Sequence, residues 1–384
     1  MLPPVLPRYL GVGFRNNSQG ISLKILALNP FHGGSHQAFL ETWTRHSQHE
    51  FTTLTEPATR WKWRMRQSAV AFAERASQLY ADASLPDAIF TTDMLNVAEF
   101  RGLAPHLATV PLVVYFHENQ LTYPIDPARP KKIDLHTAFS NFSSALVADE
   151  VWFNSEFHRQ EFLSALTQWL RKMPDGDLDR KVDAIQSKCI VQYPPVELLA
   201  REKTVFEPKH PPHVLWVGRW EHDKRPEVFF NALRQLKADA VPFEVSVLGE
   251  SYRNAPDYFA VAKSDLGDQI RTWGYLESVD AYRNVLQTAD VVVSTAVHEF
   301  FGIAIVEAVS AGCCPVVPDA LAYPEVLGRQ LPVFHSATVR SVTDAIRQCF
   351  SSLATRRELT QQAVSPYSAP RRAAEMDQRL REVG

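Results

Sequence analysis

Short apolar runs alternate with amphipathic segments along almost the whole chain, and this alternation restricts the possible folds more than any other feature. Helical patterns separate the runs, and strands that alternate with helices form a parallel sheet covered on both faces. The runs have the length of buried strands: Lys24–Leu28, Ala88–Thr91, Pro111–Phe116, Glu150–Asn154, His213–Val217, Phe243–Leu248, Ile270–Trp273, Val291–Thr295 and Cys314–Val317. The sequence therefore predicts an α/β protein.

The alternation stops once, near the middle of the chain, and then starts again. Pro194 and Pro195 end the first series, and residues 203–212 have the composition of a linker. We therefore expect two Rossmann-like, doubly wound domains whose strand ends face a cleft, where ligands of such folds bind. The predicted segments are a disordered lead-in (1–22), a first domain (23–200), a second domain (210–365) and a C-terminal helix crossing back to the first domain (366–384).

Composition excludes several classes of protein. A hydrophobic share of 45%, a charged share of 22% and a net charge of -3 are those of a globular protein without a generally basic surface for nucleic acid. No apolar run reaches the roughly 18 residues that a membrane span needs. The four cysteines show no metal-ligand spacing and favour a reducing cytoplasm. We expect a cytoplasmic protein without a metal site, and no protein partner is evident.

Two glutamates eight positions apart, Glu299 and Glu307, follow the apolar run that ends at Thr295. If residues 301–311 form a helix, Glu299 lies at its N-terminus and Glu307 about two turns inside it. Two such carboxylates can bind separate hydroxyls of one ligand, and the free N–H groups between them can face a phosphate. The pattern is typical of a sugar-nucleotide site. The alternative is a solvated helix face, which the apolar surroundings disfavour.

Cationic and glycine-containing loops follow two other runs of the second half. Arg219 and Lys224 lie in one short loop after Val217, where two cations can neutralise a diphosphate; the alternative is a surface ion-pair loop with Glu221 and Asp223. Gly249 ends the next run, where it would let the backbone approach a ligand or simply form a turn.

In the first half, Gly33 and Gly34 follow the first run, with Ser35 as the predicted helix N-cap. The two glycines can hold a phosphate or let an acceptor approach closely, but they do not form a dinucleotide fingerprint. The polar segment His117-Glu118-Asn119-Gln120 follows Phe116, so we expect its four side chains to project into the cleft. His117 would then bond a sugar hydroxyl or the reacting phosphate.

Basic and aromatic residues alternate between Arg60 and Arg66. Trp61, Lys62, Trp63 and Arg64 suit phosphate contact combined with stacking on nucleobases. The alternative is an amphipathic helix start whose cations extend along its surface.

Together these motifs resemble the retaining glycosyltransferases of the GT-B type that carry two glutamates at this spacing. The resemblance implies that Glu299 and His117 contact the donor sugar from opposite domains, and that Arg219 and Lys224 bind the diphosphate. It further implies that Glu307 binds the ribose, and that the backbone of Phe301, Gly302 and Ile303 faces the sugar or diphosphate.

A narrower resemblance rests on five blocks: Phe31–His36, Trp61–Arg64, Phe116–Leu121, Arg219–Lys224 and His298–Gly302. They are similar to the tRNA-queuosine α-mannosyltransferase group, which moves mannose from GDP-mannose to the cyclopentene diol of queuosine in a tRNA anticodon. This resemblance implies a metal-independent reaction, with Trp61, Lys62, Trp63, Arg64, Asn119 and Gln120 on the tRNA side. The alternative is a GT-B enzyme that uses another nucleotide sugar and a glycan or lipid acceptor.

Overall fold

Two six-stranded parallel sheets form the framework of the protein in a computed structural model that describes residues 22–124, 134–174, 177–199, 211–250 and 257–383. The first sheet contains β1 (Lys24–His32), β2 (Glu50–Pro57), β3 (Ala88–Thr92), β4 (Leu112–Phe116), β5 (Glu150–Phe153) and β6 (Cys189–Val191). The second contains β7 (His213–Val217), β8 (Glu244–Leu248), β9 (Ile270–Gly274), β10 (Val291–Val293), β11 (Cys314–Pro318) and β12 (Val333–His335). The predicted two-domain α/β architecture is confirmed.

Helices cover both faces of each sheet, as parallel strands require. Those of the first half are α1 (Gly34–His46), α2 (Trp61–Leu79), α3 (Val97–Leu103), α4 (Leu135–Val147), α5 (Glu156–Leu170) and α6 (Lys181–Gln186). The remainder are α7 (Pro226–Ala238), α8 (Tyr258–Leu266), α9 (Val279–Thr288), α10 (Ile303–Ser310), α11 (Tyr323–Leu327), α12 (Val339–Ser351), α13 (Leu353–Val364) and α14 (Ala369–Leu380). Within these described segments, no helix is long and apolar enough to cross a membrane.

The strand order of each sheet explains where a ligand can bind. The orders are β2-β1-β3-β4-β5-β6 and β12-β11-β10-β7-β8-β9. The direction of winding reverses between β1 and β3 in the first sheet and between β7 and β10 in the second. Crevices open outside the carboxyl ends of the strands at such switch points. The loops after β7 and β10, which contain Lys224 and Glu299, therefore begin at neighbouring strand ends.

The helix α14 packs against the first domain, although it follows the second in sequence. Its Ala373, Met376 and Leu380 are buried in one cluster with Trp43 of α1. Asp377 accepts hydrogen bonds from Trp43 Nε1 at 2.9 Å, Ser47 Oγ at 2.7 Å and the backbone N–H of Gln48 at 2.7 Å. A fully buried carboxylate with three donors ties this helix to α1.

Several local predictions differ from the structure. The helix predicted for 301–311 begins only at Ile303, because Gly302 adopts a left-handed conformation with φ of 87°. Ser35 is not an N-cap, since Gly33 occupies that position and α1 starts at Gly34. Strands β2, β6 and β12 were not among the predicted runs. Residues 1–21 of the predicted lead-in, and 200–210 of the predicted boundary and linker, lie outside the described residues.

Candidate active site

Lys224 lies at the centre of the charged groups at the second switch point. Its Nζ is 3.2 Å from Glu299 Oε2 and 3.2 Å from Asp223 Oδ2, and donates to the backbone carbonyl of His298 at 2.9 Å. Burial alone would lower the pKa of Lys224, but Glu299 and Asp223 outweigh it and raise the pKa above its usual value. The ammonium therefore stays charged, and it joins the loop after β7 to the glutamate loop after β10.

Arg219 supplies a second, more accessible cation. Its side chain is 46% exposed and lies 3.4 Å from Glu221. Burial would lower its pKa, but Glu221, Tyr123 and Glu118 raise it above the usual value. Tyr123 and Glu118 belong to the first domain, so this guanidinium faces the opposite side of the cleft. Two cations from one loop can bind a diphosphate there, as the sequence predicts.

The N-terminus of α10 offers backbone donors between the two glutamates. Gly302 precedes the helix and accepts from the N–H of Ile305 and Val306, whereas the first N–H groups of the helix, including that of Ile303, have no acceptor within it. Phe301, just before this turn, is 3% exposed and its side chain packs in a hydrophobic cluster, so that side chain is not available to a ligand. An anion placed at this terminus would face free N–H groups and the helix dipole.

Glu307 is the fifth residue of α10 and so lies about one turn inside the helix, not two as predicted from a longer helix. Its Oε2 accepts a hydrogen bond from Tyr282 Oη at 2.8 Å. Burial raises the pKa of Glu307 above its usual value, although the Tyr282 bond opposes this shift. Tyr282 therefore positions the carboxylate that we expect to bind ribose.

The first domain contributes two imidazoles in contact, whose planes are inclined by 38°. The rings of His117 and His36 lie 4.1 Å apart between centroids. Burial lowers the pKa of His117 well below its usual value, and burial, Arg219 and His32 lower that of His36 to about 3. Both rings are neutral at physiological pH and can exchange hydrogen bonds with hydroxyls. His36 Nδ1 and His117 Nε2 are buried without a partner among the described residues.

The backbone of His117 is fixed from both sides. Asp93 Oδ1 accepts from the His117 N–H at 2.9 Å, and Asn154 Nδ2 donates to the His117 carbonyl at 2.9 Å. Asp93 is fully buried, and burial followed by the Glu118 charge raises its pKa well above the usual range. These contacts hold the imidazole at the end of β4.

Two other predicted residues, Asn119 and Gln120, are buried in the first domain and hold its backbone rather than face the cleft. Asn119 does not project into the cleft: it is fully buried, and its Oδ1 accepts from the N–H groups of Leu121 and Thr122 in the turn after β4. Gln120 is also buried, and its backbone N–H donates to Asn141 Oδ1 at 3.0 Å. Glu118, between them and His117, is only half-buried.

The three predicted glycines outside α10 differ in their surroundings. A Cβ at Gly249 would collide with the backbone carbonyl of Gly218, so this glycine permits close packing of two loops. At Gly33 a Cβ would collide with Ala58. Gly34 has a φ of 53° with open space around it, and it alone of the three leaves room for a ligand beside its Cα.

The start of α2 presents a basic aromatic patch, formed by Arg60, Trp61, Lys62, Trp63 and Arg66, which line one shallow surface concavity. Trp61 and Trp63 are 37% and 58% exposed, and Lys62 Nζ lies 5.2 Å from the Trp61 ring centroid. Arg64 does not belong to this patch, because it forms an ion pair of 2.5 Å with Glu56 and is only 15% exposed.

Sequence reasoning missed several residues that complete the site. Asp93 and Tyr282 are not among the predicted site residues, and His36 and Asp223 were given no role in the site although each lies in a block of the family resemblance. A usable signal existed for Asp93, since it directly follows a buried strand. For His36 the signal was its place in the block Phe31–His36, whereas Tyr282 lies inside a helical pattern, where nothing distinguishes it from ordinary helix residues.

The chain is similar to known glycosyltransferases both in sequence and in fold. The family described as glycosyl transferases group 1 matches residues 200–365. Sucrose-phosphate synthase from Thermosynechococcus elongatus superposes with a TM-score of 0.70 at 16% identity, and a glycosyltransferase from Rickettsia africae with 0.65 at 14% identity. Each alignment covers 94% of this chain and 98% of the other. These superpositions show that the protein has the GT-B fold.

A second match narrows the assignment. The family described as tRNA-queuosine alpha-mannosyltransferase N-terminal matches residues 24–196. The tRNA-queuosine alpha-mannosyltransferase of Drosophila melanogaster is 37% identical over 318 residues, which are 80% of this chain and 82% of that protein. The chain therefore belongs to the tRNA-queuosine alpha-mannosyltransferase family and is a hexosyltransferase, and the resemblance noted from the sequence is confirmed.

Proposed function

We propose that the protein transfers mannose from GDP-mannose to queuosine in a tRNA anticodon, in the cytoplasm and with retention of anomeric configuration. The observation that carries this proposal is the Lys224–Glu299 pair at the second switch point, in a chain whose first domain matches the queuosine family. The relative in Drosophila melanogaster, named for the same reaction, supports the acceptor and the sugar. Guanine as the base of the donor follows from the family resemblance.

The site supports a mechanism in which stabilisation of the leaving group dominates. Arg219, Lys224 and the N-terminus of α10 bind the diphosphate, on which negative charge develops as its bond to the sugar breaks. The acceptor hydroxyl oxygen forms the new bond to the same carbon from the same face. Its proton goes to the departing diphosphate oxygen, so we assign no separate general base. The proposal requires no metal, because the two cations and the helix terminus supply the positive charge.

Glu299 acts in this scheme as a ligand of the sugar rather than as a nucleophile. In the structure its Oε2 pairs with Lys224 at 3.2 Å. When the donor binds, Lys224 exchanges part of this contact for the diphosphate, and Glu299 is released to accept from sugar hydroxyls. His117, neutral and on the opposite domain, contacts the same sugar.

The basic aromatic patch is the proposed contact with the tRNA. Its exposed rings can stack on unpaired bases, and its cations can contact phosphates. Asp134 lies 3.0 Å from Lys62 and 3.7 Å from Arg66, which orients both cations without neutralising the patch. The patch thus keeps a local excess of positive charge in a chain whose net charge is -3.

The test is transfer of label from GDP-mannose carrying labelled mannose. Queuosine-containing tRNA should become labelled, and the same tRNA with guanosine in place of queuosine should not. Labelling of a glycolipid but not of the tRNA would refute the proposal in favour of another acceptor.

A second experiment locates the acceptor surface. Trp63→Ala should raise the KM for tRNA about tenfold, because stacking on one base contributes roughly 1–3 kcal/mol. Hydrolysis of GDP-mannose without tRNA should not change. Tyr258→Ala is the matched control, since Tyr258 is a 52% exposed aromatic residue on the second domain. An unchanged KM in the Trp63 variant would remove the patch from the acceptor site.

A further inference from the structure

His158, a residue with no role in the proposed chemistry, connects the two elements that would contact the donor sugar. It lies in the first turn of α5 in the first domain and is fully buried. Its ring stacks on Phe300 of the second domain, with centroids 3.7 Å apart and planes inclined by 13°. Phe300 immediately precedes Phe301 and follows Glu299, so this stack fixes the backbone beside the sugar-binding carboxylate.

On its other side, His158 is connected to His117 through Asn154. His158 Nδ1 lies 2.8 Å from Asn154 Oδ1, while Asn154 Nδ2 donates to the His117 carbonyl at 2.9 Å. Because the Asn154 amide oxygen can only accept, His158 must carry its proton on Nδ1. The imidazole is therefore a neutral donor towards Asn154 and an aromatic surface towards Phe300.

The surroundings show why a histidine is needed at this position. The Phe153 ring meets it edge-on at 5.1 Å, so most of the pocket is aromatic and would accept phenylalanine. Phenylalanine cannot donate to Asn154, and asparagine cannot stack on Phe300. Of these three, only the imidazole meets both requirements.

We propose that His158 is a positioning residue, which aligns His117 and Glu299 on the same sugar when the two domains are closed. Through Asn154 it holds the turn after β4, and through Phe300 it holds the glutamate loop. Loss of either contact should misalign the two sugar ligands while leaving the diphosphate and ribose contacts of the second domain intact. The inference rests on the proposed function, since it concerns the donor sugar of that reaction.

Two variants of His158 separate its bond to Asn154 from its stack on Phe300. His158→Phe keeps the stack and loses the bond to Asn154, whereas His158→Asn keeps a donor near Asn154 and loses the stack. Each should lower kcat on the order of tenfold, the scale of one aromatic or hydrogen-bonding contact in the transition state. The Kd for GDP should stay within about twofold, because the GDP contacts lie in the other domain.

A matched control variant and a double-mutant cycle make the test of His158 specific. His213→Asn removes another buried histidine, which bonds Ser246 at 2.8 Å at the opposite end of the second sheet, and should leave kcat unchanged. Phe300→Leu should lower kcat as His158→Asn does, and the double variant should lower it no further than either, because both remove the same stack. Turnover is measured both as tRNA labelling and as GDP release without acceptor.

The possible results are distinct. Wild-type kcat in both His158 variants, additive effects in the cycle, or equal losses of kcat and GDP affinity would overturn the positioning role. Failure of the wild-type enzyme to label queuosine tRNA would instead overturn the proposed function, and GDP release would still report on His158.

Discussion

Replacement of Lys224 by methionine tests the electrostatic argument most directly. The substitution removes the charge and retains most of the side-chain length and volume. In the structure the ammonium has two carboxylate neighbours at 3.2 Å, Glu299 and the fully buried Asp223. The variant therefore loses a cation at the diphosphate site and also leaves Asp223 without its nearest counter-charge.

The lost cation affects catalysis, whereas the unpaired Asp223 affects stability. At 3.2 Å and an effective dielectric constant of about 20, Coulomb's law gives about 5 kcal/mol for each pair before desolvation is subtracted. A buried carboxylate left unpaired lowers the free energy of unfolding by about 3–5 kcal/mol. Loss of one group that stabilises developing negative charge lowers kcat by about 10²–10³-fold.

A second variant separates catalysis from stability. Lys224→Met combined with Asp223→Asn removes both charges, so the free energy of unfolding should recover by a few kcal/mol while kcat stays low. The assay is steady-state transfer to tRNA together with denaturant unfolding of the same preparations. Recovery of kcat in the double variant would refute the reasoning, because the defect would then come from Asp223 and not from the missing cation.

Three further predictions concern other parts of the site. Burial lowers the pKa values of His36, which is buried, and His298, which is partly buried, from 6.5 to about 3 and about 4. The unfolded chain therefore takes up protons first as pH falls below about 6.5. Stability should therefore decrease between pH 6.5 and about 4 in urea titrations, and His298→Gln should flatten this dependence; an equal slope in the variant would contradict it. Gly302→Ala introduces strain at φ of 87° and places a Cβ 3.2 Å from the Tyr323 ring, so the free energy of unfolding should fall by roughly 1–2 kcal/mol, and an unchanged urea midpoint would contradict this strain. Glu325 accepts hydrogen bonds of 2.7 and 2.9 Å from the N–H groups that begin α5, and Glu325→Gln weakens them. The variant should lower the free energy of unfolding by about 1–2 kcal/mol. An unchanged urea midpoint would show that this contact between the domains does not contribute to stability.

The sequence predicted the framework well because buried strands carry a strong signal. Runs such as Leu112–Phe116 are fully buried and apolar throughout, and residues that directly follow such runs lie at the cleft by geometry. That rule placed His117, Arg219 and Lys224 correctly at strand ends. The apolar-run signal did not identify β2, because this edge strand contains threonines and glutamates that break the apolar pattern.

Side-chain contacts between distant segments could not be predicted. Arg64 shares its sequence block with Trp63, but only the fold brings Glu56 close enough to pair with it. Asn119 looked like a cleft residue, yet the turn that follows it uses its amide oxygen. The stack of His158 on Phe300 joins positions 142 residues apart, and no local pattern in the sequence predicts that these two rings meet.

The position of α14 has a consequence for the order in which the protein can fold during synthesis. Trp43 and Ser47 emerge from the ribosome early, but Asp377, which accepts hydrogen bonds from both, is translated after the whole second domain. The second domain can complete its own sheet first, whereas the face of the first domain that contains Trp43 remains uncovered until α14 has been translated. A nascent chain stalled before residue 369 should therefore expose the Trp43 surface, where chaperones that bind apolar segments could act.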